Sequence, residues 1–163
     1  MAFIELHDFH PRARCECCGY RTRPISQFTD GTVAIADTSS SCGLCDWENA
    51  SLDENGNSIP GPESDEERND GYSITEAQAN FAKHLSMYDP ARPAPWMLGP
   101  ASAEEIDLKR ELKAAHEGVE RDPDNLLTWD RVVALETALD ELIRSRIEAL
   151  QDGSDERPAN GEL

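Results

Sequence analysis

Apolar residues recur along this chain with two periods, and the change falls near residue 72. Before it, short runs predict strands: Tyr20 to Arg23, and Thr-Val-Ala-Ile-Ala from Thr32 to Ala36, entered through an Asp30-Gly31 turn. After it the spacing is helical. Ser73-Ile-Thr-Glu76 reads as a capping box, with Ile74, Ala77, Phe81, Leu85 and Tyr88 on one face, so a helix is expected over 73–88. Pro90, Pro93, Pro95 and Pro100 then force an extended connector over 89–100. Ser102 to Glu105 reads as a second capping box, followed by a narrow stripe of Leu108, Leu112, Ala115 and Val119. Gly118 weakens the last turn of that helix, and Asp122-Pro123-Asp124-Asn125 ends it.

A third helix is expected from Leu126 to Gln151, with Gly153 as its stop. Trp129, Val132, Val133, Leu135, Leu139, Leu142, Ile143, Ile147 and Leu150 cover about half its circumference. The short link before it predicts an antiparallel hairpin with the second helix. That partner is too narrow to cover the whole apolar arc. The surplus is expected against the N-terminal module, a second copy of the chain through the hairpin, or another protein. Three segments follow: a cysteine-bearing unit over 1–90, a helical hairpin over 101–151, and a polar tail over 152–163.

Of the 163 residues 38% are hydrophobic, which limits the size of any core. No run of 18 apolar residues offers a membrane span, and the acidic start does not resemble a signal peptide, so a cytoplasmic location is expected. The net charge is −18, from 15 basic and 33 acidic residues. Such a field repels nucleic acid; it either attracts a basic protein or serves solubility alone. It is unevenly spread. Residues 1–25 hold Arg12, Arg14, Arg21 and Arg23 against three acids, while the other 138 residues carry 11 basic and 30 acidic side chains.

In reducing surroundings, clustered cysteines indicate a metal more often than disulfides. The five here fall into Cys15-Glu16-Cys17-Cys18-Gly19-Tyr20 and Cys42-Gly43-Leu44-Cys45-Asp46-Trp47. Cys15, Cys18, Cys42 and Cys45 give two C-x2-C turns, whose four thiolates complete the tetrahedron preferred by structural Zn2+. Gly19 suits the tight turn after the second ligand. A dithiol or disulfide pair is the competing reading, and iron is chemically compatible with four thiolates. Cys17 is the spare: packing, an alternative ligand, or an exposed thiol acting as a switch or nucleophile. Four thiolates leave no open coordination position for catalysis. His7, His10, His84 and His116 read as structural, and no Ser/His/Asp or Cys/His/Asp set assembles.

Residues 51–72 read as an acidic loop rich in Gly and Pro. Asp53, Asn55 and Asn57 have a calcium-loop look, but Ser58 and Ser64 stand where that loop needs glycine and glutamate. Asp53, Glu54, Glu63, Asp65, Glu66 and Glu67 are therefore expected to face a basic partner. Glu136 sits inside the apolar arc of the third helix. It is expected either to pair with Lys109, Lys113 or an arginine across the hairpin, or to meet that partner on an open face.

At these motifs the chain resembles the bacterial cysteine-rich CPCC family over about residues 13–90. Cys15, Cys17, Cys18, Gly19 and Tyr20 fit its CPCCGY-like knuckle. Cys42, Cys45, Trp47 and Glu48 fit its second motif, and Ser73, Glu76, Ala77, Asn80 and Phe81 fit its helix. Glu16 departs from the family's proline. The resemblance implies an α+β fold: a small zinc-ribbon-like β module with one helix, here followed by the helical hairpin. Some family members are associated with toxin-immunity neighbourhoods. The expected function is thus a non-catalytic, zinc-stabilised, protein-binding protein, such as an immunity protein that neutralises a basic toxin like a nuclease. The alternative is a zinc-ribbon regulatory or nucleic-acid module using Arg12, Arg14, Arg21 and Arg23.

Overall fold

The computed structural model of the chain describes residues 4–5, 12–27, 33–35, 41–53, 55, 57–59, 61–94, 97 and 99–153. Its architecture is α+β. Among the described residues, four short antiparallel strands come first: β1 (Ile4–Glu5), β2 (Arg12–Ala13), β3 (Arg23–Gln27) and β4 (Val33–Ile35), side by side in chain order. Ile4 faces Ala13, Ala13 faces Arg23, and Ile25 faces Ile35. Four helices follow: α1 (Asp65–Arg68), α2 (Ile74–His84), α3 (Ala103–Arg121) and α4 (Leu126–Gly153).

The first expected strand begins later than the sequence indicates. Tyr20 to Thr22 belong to the turn that closes the first knuckle, where the carbonyl of Tyr20 accepts from the amides of Cys15 and Thr22. Only from Arg23 is the backbone free to pair. Of the second expected strand, Val33 to Ile35 form β4; Thr32, Ala36 and the Asp30-Gly31 turn lie outside the described residues, as do His7 and His10.

The acidic loop contains α1. The Ser64 side chain accepts from the amide of Glu67, whose carboxylate accepts from the amide of Ser64. This capping box satisfies two amides that the helix would otherwise leave without partners. Downstream, α2 starts at the expected box of Ser73 and Glu76 but ends at His84. Leu85 adopts a left-handed conformation, φ 56°, and its amide bonds to the carbonyl of Phe81. Tyr88 therefore leaves the helical face. Met87 and Tyr88 turn back into the core instead, with the Met87 amide on the carbonyl of Cys45 at 2.7 Å. At the start of α3 only half of the second expected box forms. Ser102 accepts from the amide of Glu105, but the Glu105 carboxylate serves Lys109 and Arg146.

The hairpin of α3 and α4 forms as expected, through Leu112, Ala115 and Val119 against Trp129, Val132, Leu135 and Leu139. These side chains belong to the same core cluster as the cysteines, Leu44, Trp47, Tyr72, Ala77, Phe81 and Met87. Part of the surplus apolar arc of α4 is thus covered by the strand-bearing half of the chain. Arg12 lies over the Trp129 ring, 5.5 Å from its centroid. Leu126, Leu127, Val133, Ile147 and Leu150 remain exposed. Residues 89–100 hold no helix among the described residues, and the tail from 154 lies outside them.

Candidate metal centre

Two turns with the same hydrogen-bond pattern build the site. In the first, between β2 and β3, the amide of Gly19 bonds to the carbonyl of Cys15 and the amide of Cys15 to the carbonyl of Tyr20, both at 2.9 Å. In the second, after β4, the amide of Asp46 bonds to the carbonyl of Cys42 at 2.9 Å and that of Cys42 to the carbonyl of Trp47 at 2.8 Å. The residue after each second cysteine is left-handed: Gly19 at φ 77° and Asp46 at φ 70°. Aspartate tolerates this region better than most residues. It is held there by its carboxylate, which accepts from Ser86 at 2.7 Å and Lys109 at 3.1 Å.

The four expected ligands converge. Each of Cys15, Cys18, Cys42 and Cys45 offers one sulfur, and the four lie within 4.8 Å of one another. Cys15 and Cys45 are 3.6 Å apart at sulfur, and Cys18 and Cys42 are 3.8 Å apart. Four thiolates bound at ~2.3 Å to one tetrahedral ion would stand about 3.8 Å apart, so the set fits a metal without rearrangement. No disulfide joins the described cysteines. Three of the four ligands are buried and Cys18 is partly open.

The four thiols hold one another apart in acidity: Cys18 and Cys45 are held above their ordinary range, Cys15 and Cys42 below it. Burial pushes the Cys45 thiol well above its ordinary range, with hydrogen bonds from the other cysteines adding to this. Hydrogen bonds from Cys18, Cys42 and Cys45 hold Cys15 well below it. A divalent cation at the centre would replace these shared protons with a positive charge. Thr22 Oγ1 lies 3.1 Å from Cys42 Sγ and the Cys45 amide donates to the same sulfur at 3.5 Å, two contacts that orient the ligand. Arg23 is buried beside Cys15 and Cys42 and donates to the carbonyl of Ala50 at 2.8 Å. Burial works to lower the pKa of Lys109, but the Asp46 and Glu105 carboxylates outweigh it and hold the ammonium above its usual range.

Cys17 is buried, which places it in the core rather than among accessible thiols. Glu16, the departure from the CPCC pattern, carries a structural load that sequence reasoning missed. Its amide donates to Asn49 Oδ1, while its carboxylate accepts from Trp47 Nε1 and Ser58 Oγ. It thereby ties the first turn to the second and to the acidic loop.

The basic residues near the first turn are committed internally. Arg12 and Glu136 form a two-pronged pair, and Arg14 forms another with Glu120 at 3.0 and 2.9 Å. Arg21 is buried, 3.8 Å from Glu120. With Arg23 also buried, three of the four arginines proposed for nucleic acid are turned into the protein. Glu136 thus finds its cation on β2, not on Lys109 or Lys113; across the hairpin it lies 3.9 Å from the His116 ring.

The acids named for a partner occupy two regions. Glu63, Asp65, Glu66 and Glu67 stand exposed at α1, where Asp65 pairs with Arg68. Asp53 accepts from the amides of Asn55 and Asn57, a local turn. Glu54 lies outside the described residues. Glu136 is far from these in sequence and lines a cleft of about 670 Å3 beside the Cys42-Gly43 turn. Asp46, Glu48, Asp70 and Asp140 line it too, with Arg68 as the one basic residue among the described residues there.

No helix among the described residues is long and apolar enough to cross a membrane. Comparison of the chain with protein-family models, with curated proteins and with solved structures finds no match.

Proposed function

We propose that the four thiolates hold a structural zinc ion and that the protein binds a basic protein partner without catalysis. Zinc suits a closed, four-sulfur tetrahedron, and a filled coordination sphere serves scaffolding rather than Lewis-acid chemistry. The resemblance to the CPCC family supports a zinc-ribbon-like character for the strand-bearing module. A reducing, cytoplasmic setting suits its free thiols.

The observation that carries the partner reading is the cleft beside the metal centre. Five carboxylates line it with one arginine; Glu136 and Asp46 are held by Arg12 and Lys109, and Glu48, Asp70 and Asp140 keep the cleft acidic. The exposed acids of α1 lie alongside, since Arg68 and Asn69 line the same cleft. A lysine- or arginine-rich surface of another protein would be steered to this region and held by several charge-assisted contacts. Neutralisation of a basic toxin such as a nuclease is the role we favour, and the toxin-immunity setting of some CPCC proteins supports it.

The test is affinity purification of the intact, metal-loaded chain from its native cells at low salt, then reconstitution with the purified basic protein identified. One-to-one binding that weakens steeply with salt is expected, with loss of activity if the partner is a nuclease. Asp140→Lys in the cleft and Glu63→Lys with Glu66→Lys at α1 are expected to weaken it at least tenfold. Binding unchanged by all three substitutions, or a partner that is acidic, overturns the reading.

A further inference from the structure

A second cleft, of about 620 Å3, opens on the other side of Asp46. It is bounded by the end of α2, the proline-rich segment, α3 and the last turns of α4. The volume falls in the ~300–1,000 Å3 range of small-molecule sites. Leu85, Met97, Ile106 and Ile143 are only half-buried here and Ile147 is exposed, so five apolar side chains around one hollow are left without full cover. Contiguous uncovered apolar surface of this kind marks a site for an apolar group.

Charge distinguishes this cleft from the acidic one. Lys83, Lys109, Arg110 and Arg146 line it with Asp46, Asp89 and Glu105, an even balance once Asp107, the partner of Arg110, is counted, in a chain of net charge −18. The floor is internally neutralised: Lys109 reaches Asp46 at 3.1 Å and Glu105 at 3.7 Å, and Arg146 donates to Glu105. At the mouth, Lys83 is exposed and has no ion pair among the described residues. Arg110 pairs with Asp107 but is two-thirds exposed, at 67%.

We propose that this cleft binds a free single-chain carboxylate amphiphile, its alkyl chain on Leu85, Met97, Ile106, Ile143 and Ile147 and its head beside Lys83 and Arg110. The satisfied floor offers no vacant charge to a buried head group, so the head belongs at the mouth. A cationic amphiphile would place its head beside the exposed Lys83 and Arg110 and be disfavoured. The two clefts share Asp46, Tyr88 and Ile143 between them, and this site does not depend on the partner reading.

The test uses the intact, metal-loaded chain and a dansylated undecanoate probe, displaced by octanoate, decanoate, dodecanoate or dodecyltrimethylammonium. One-to-one displacement is expected, tightening by up to about fourfold per methylene across the carboxylates. The cationic amphiphile is expected to displace at least tenfold more weakly than dodecanoate. Ile147→Asp is expected to abolish probe binding, and Lys83→Glu to weaken dodecanoate several-fold with thermal unfolding unchanged. No displacement by dodecanoate, equal displacement by the cationic amphiphile, or an undiminished affinity in Lys83→Glu each overturns the proposal. So does chain that associates with phosphatidylglycerol vesicles but takes up no free carboxylate.

Discussion

Arg12 and Glu136, 124 residues apart in the chain, meet fork to fork: Nη1 donates to Oε1 at 2.6 Å and Nη2 to Oε2 at 2.9 Å. The guanidinium is almost fully buried, at 9% exposure, and lies over Trp129, while the carboxylate is 28% exposed. The pair fastens the cysteine-bearing module to α4 of the hairpin.

Glu136→Gln is therefore expected to destabilise the protein by about 2 kcal/mol, measured by urea unfolding of the metal-loaded chain. The cost is below the ~3–5 kcal/mol of a wholly buried pair because water reaches the carboxylate. Arg12→Lys keeps the charge but cannot present two parallel N–H groups, so an intermediate loss of about 1 kcal/mol is expected.

Replacing a ligand has a larger consequence. Metal binding by structural four-ligand sites is worth ~10–16 kcal/mol, comparable to the whole stability of a domain at ~5–15 kcal/mol. Cys15→Ser, Cys42→Ser and Cys45→Ser are each expected to lose the ion and the near-ultraviolet circular dichroism of Trp47. Metal analysis and the dichroism spectrum check this together. Prolonged chelation of the unmodified chain is expected to give the same spectrum.

Cys17 behaves differently. Because it is buried and outside the four-sulfur set, Cys17→Ala is expected to retain a full equivalent of metal. Mild alkylation of the loaded protein, followed by peptide mass mapping, is expected to leave Cys17 unlabelled. Labelling of this thiol ahead of the others would instead show an accessible nucleophile.

His116 supplies a pH dependence. It is buried, stacked on Tyr20 with centroids 5.5 Å apart. Burial, and then the Arg12 guanidinium, hold its pKa down to about 4 from an ordinary 6.5. Between these values the unfolded chain takes up the proton that the folded chain refuses. The neutral ring's contribution is complete above pH 6.5 and falls away as pH drops toward 4, by up to about 3 kcal/mol. His116→Gln is expected to flatten that part of the curve in urea titrations run from pH 7 to pH 5, where acid release of the metal is followed separately by metal analysis.

The cysteine spacing made the ligand set legible because metal geometry acts over two or three residues, a range that sequence displays directly. Gly19 announced one left-handed turn. Asp46 makes the same turn unannounced, since its conformation depends on Ser86 and Lys109, 40 and 63 residues away. The Ser64–Glu67 box was readable by the rule that identified Ser73–Glu76, but its four-residue helix buries nothing and so leaves no apolar period to flag it. The end of α2 was misplaced because Leu85 and Tyr88 keep the helical spacing while the backbone leaves the helix at Leu85. Glu136 exposed its need for a cation through its apolar neighbours, but the identity of that cation is a long-range fact that periodicity does not carry.

Trp47, from the cysteine-bearing module, and Trp129, from the hairpin, are both sealed within one core cluster. Their shared packing makes the ion and the hairpin thermodynamic correspondents. Whatever grips the folded hairpin more tightly than its loosened form must raise the affinity for the ion by the same factor, and the ion must return the favour.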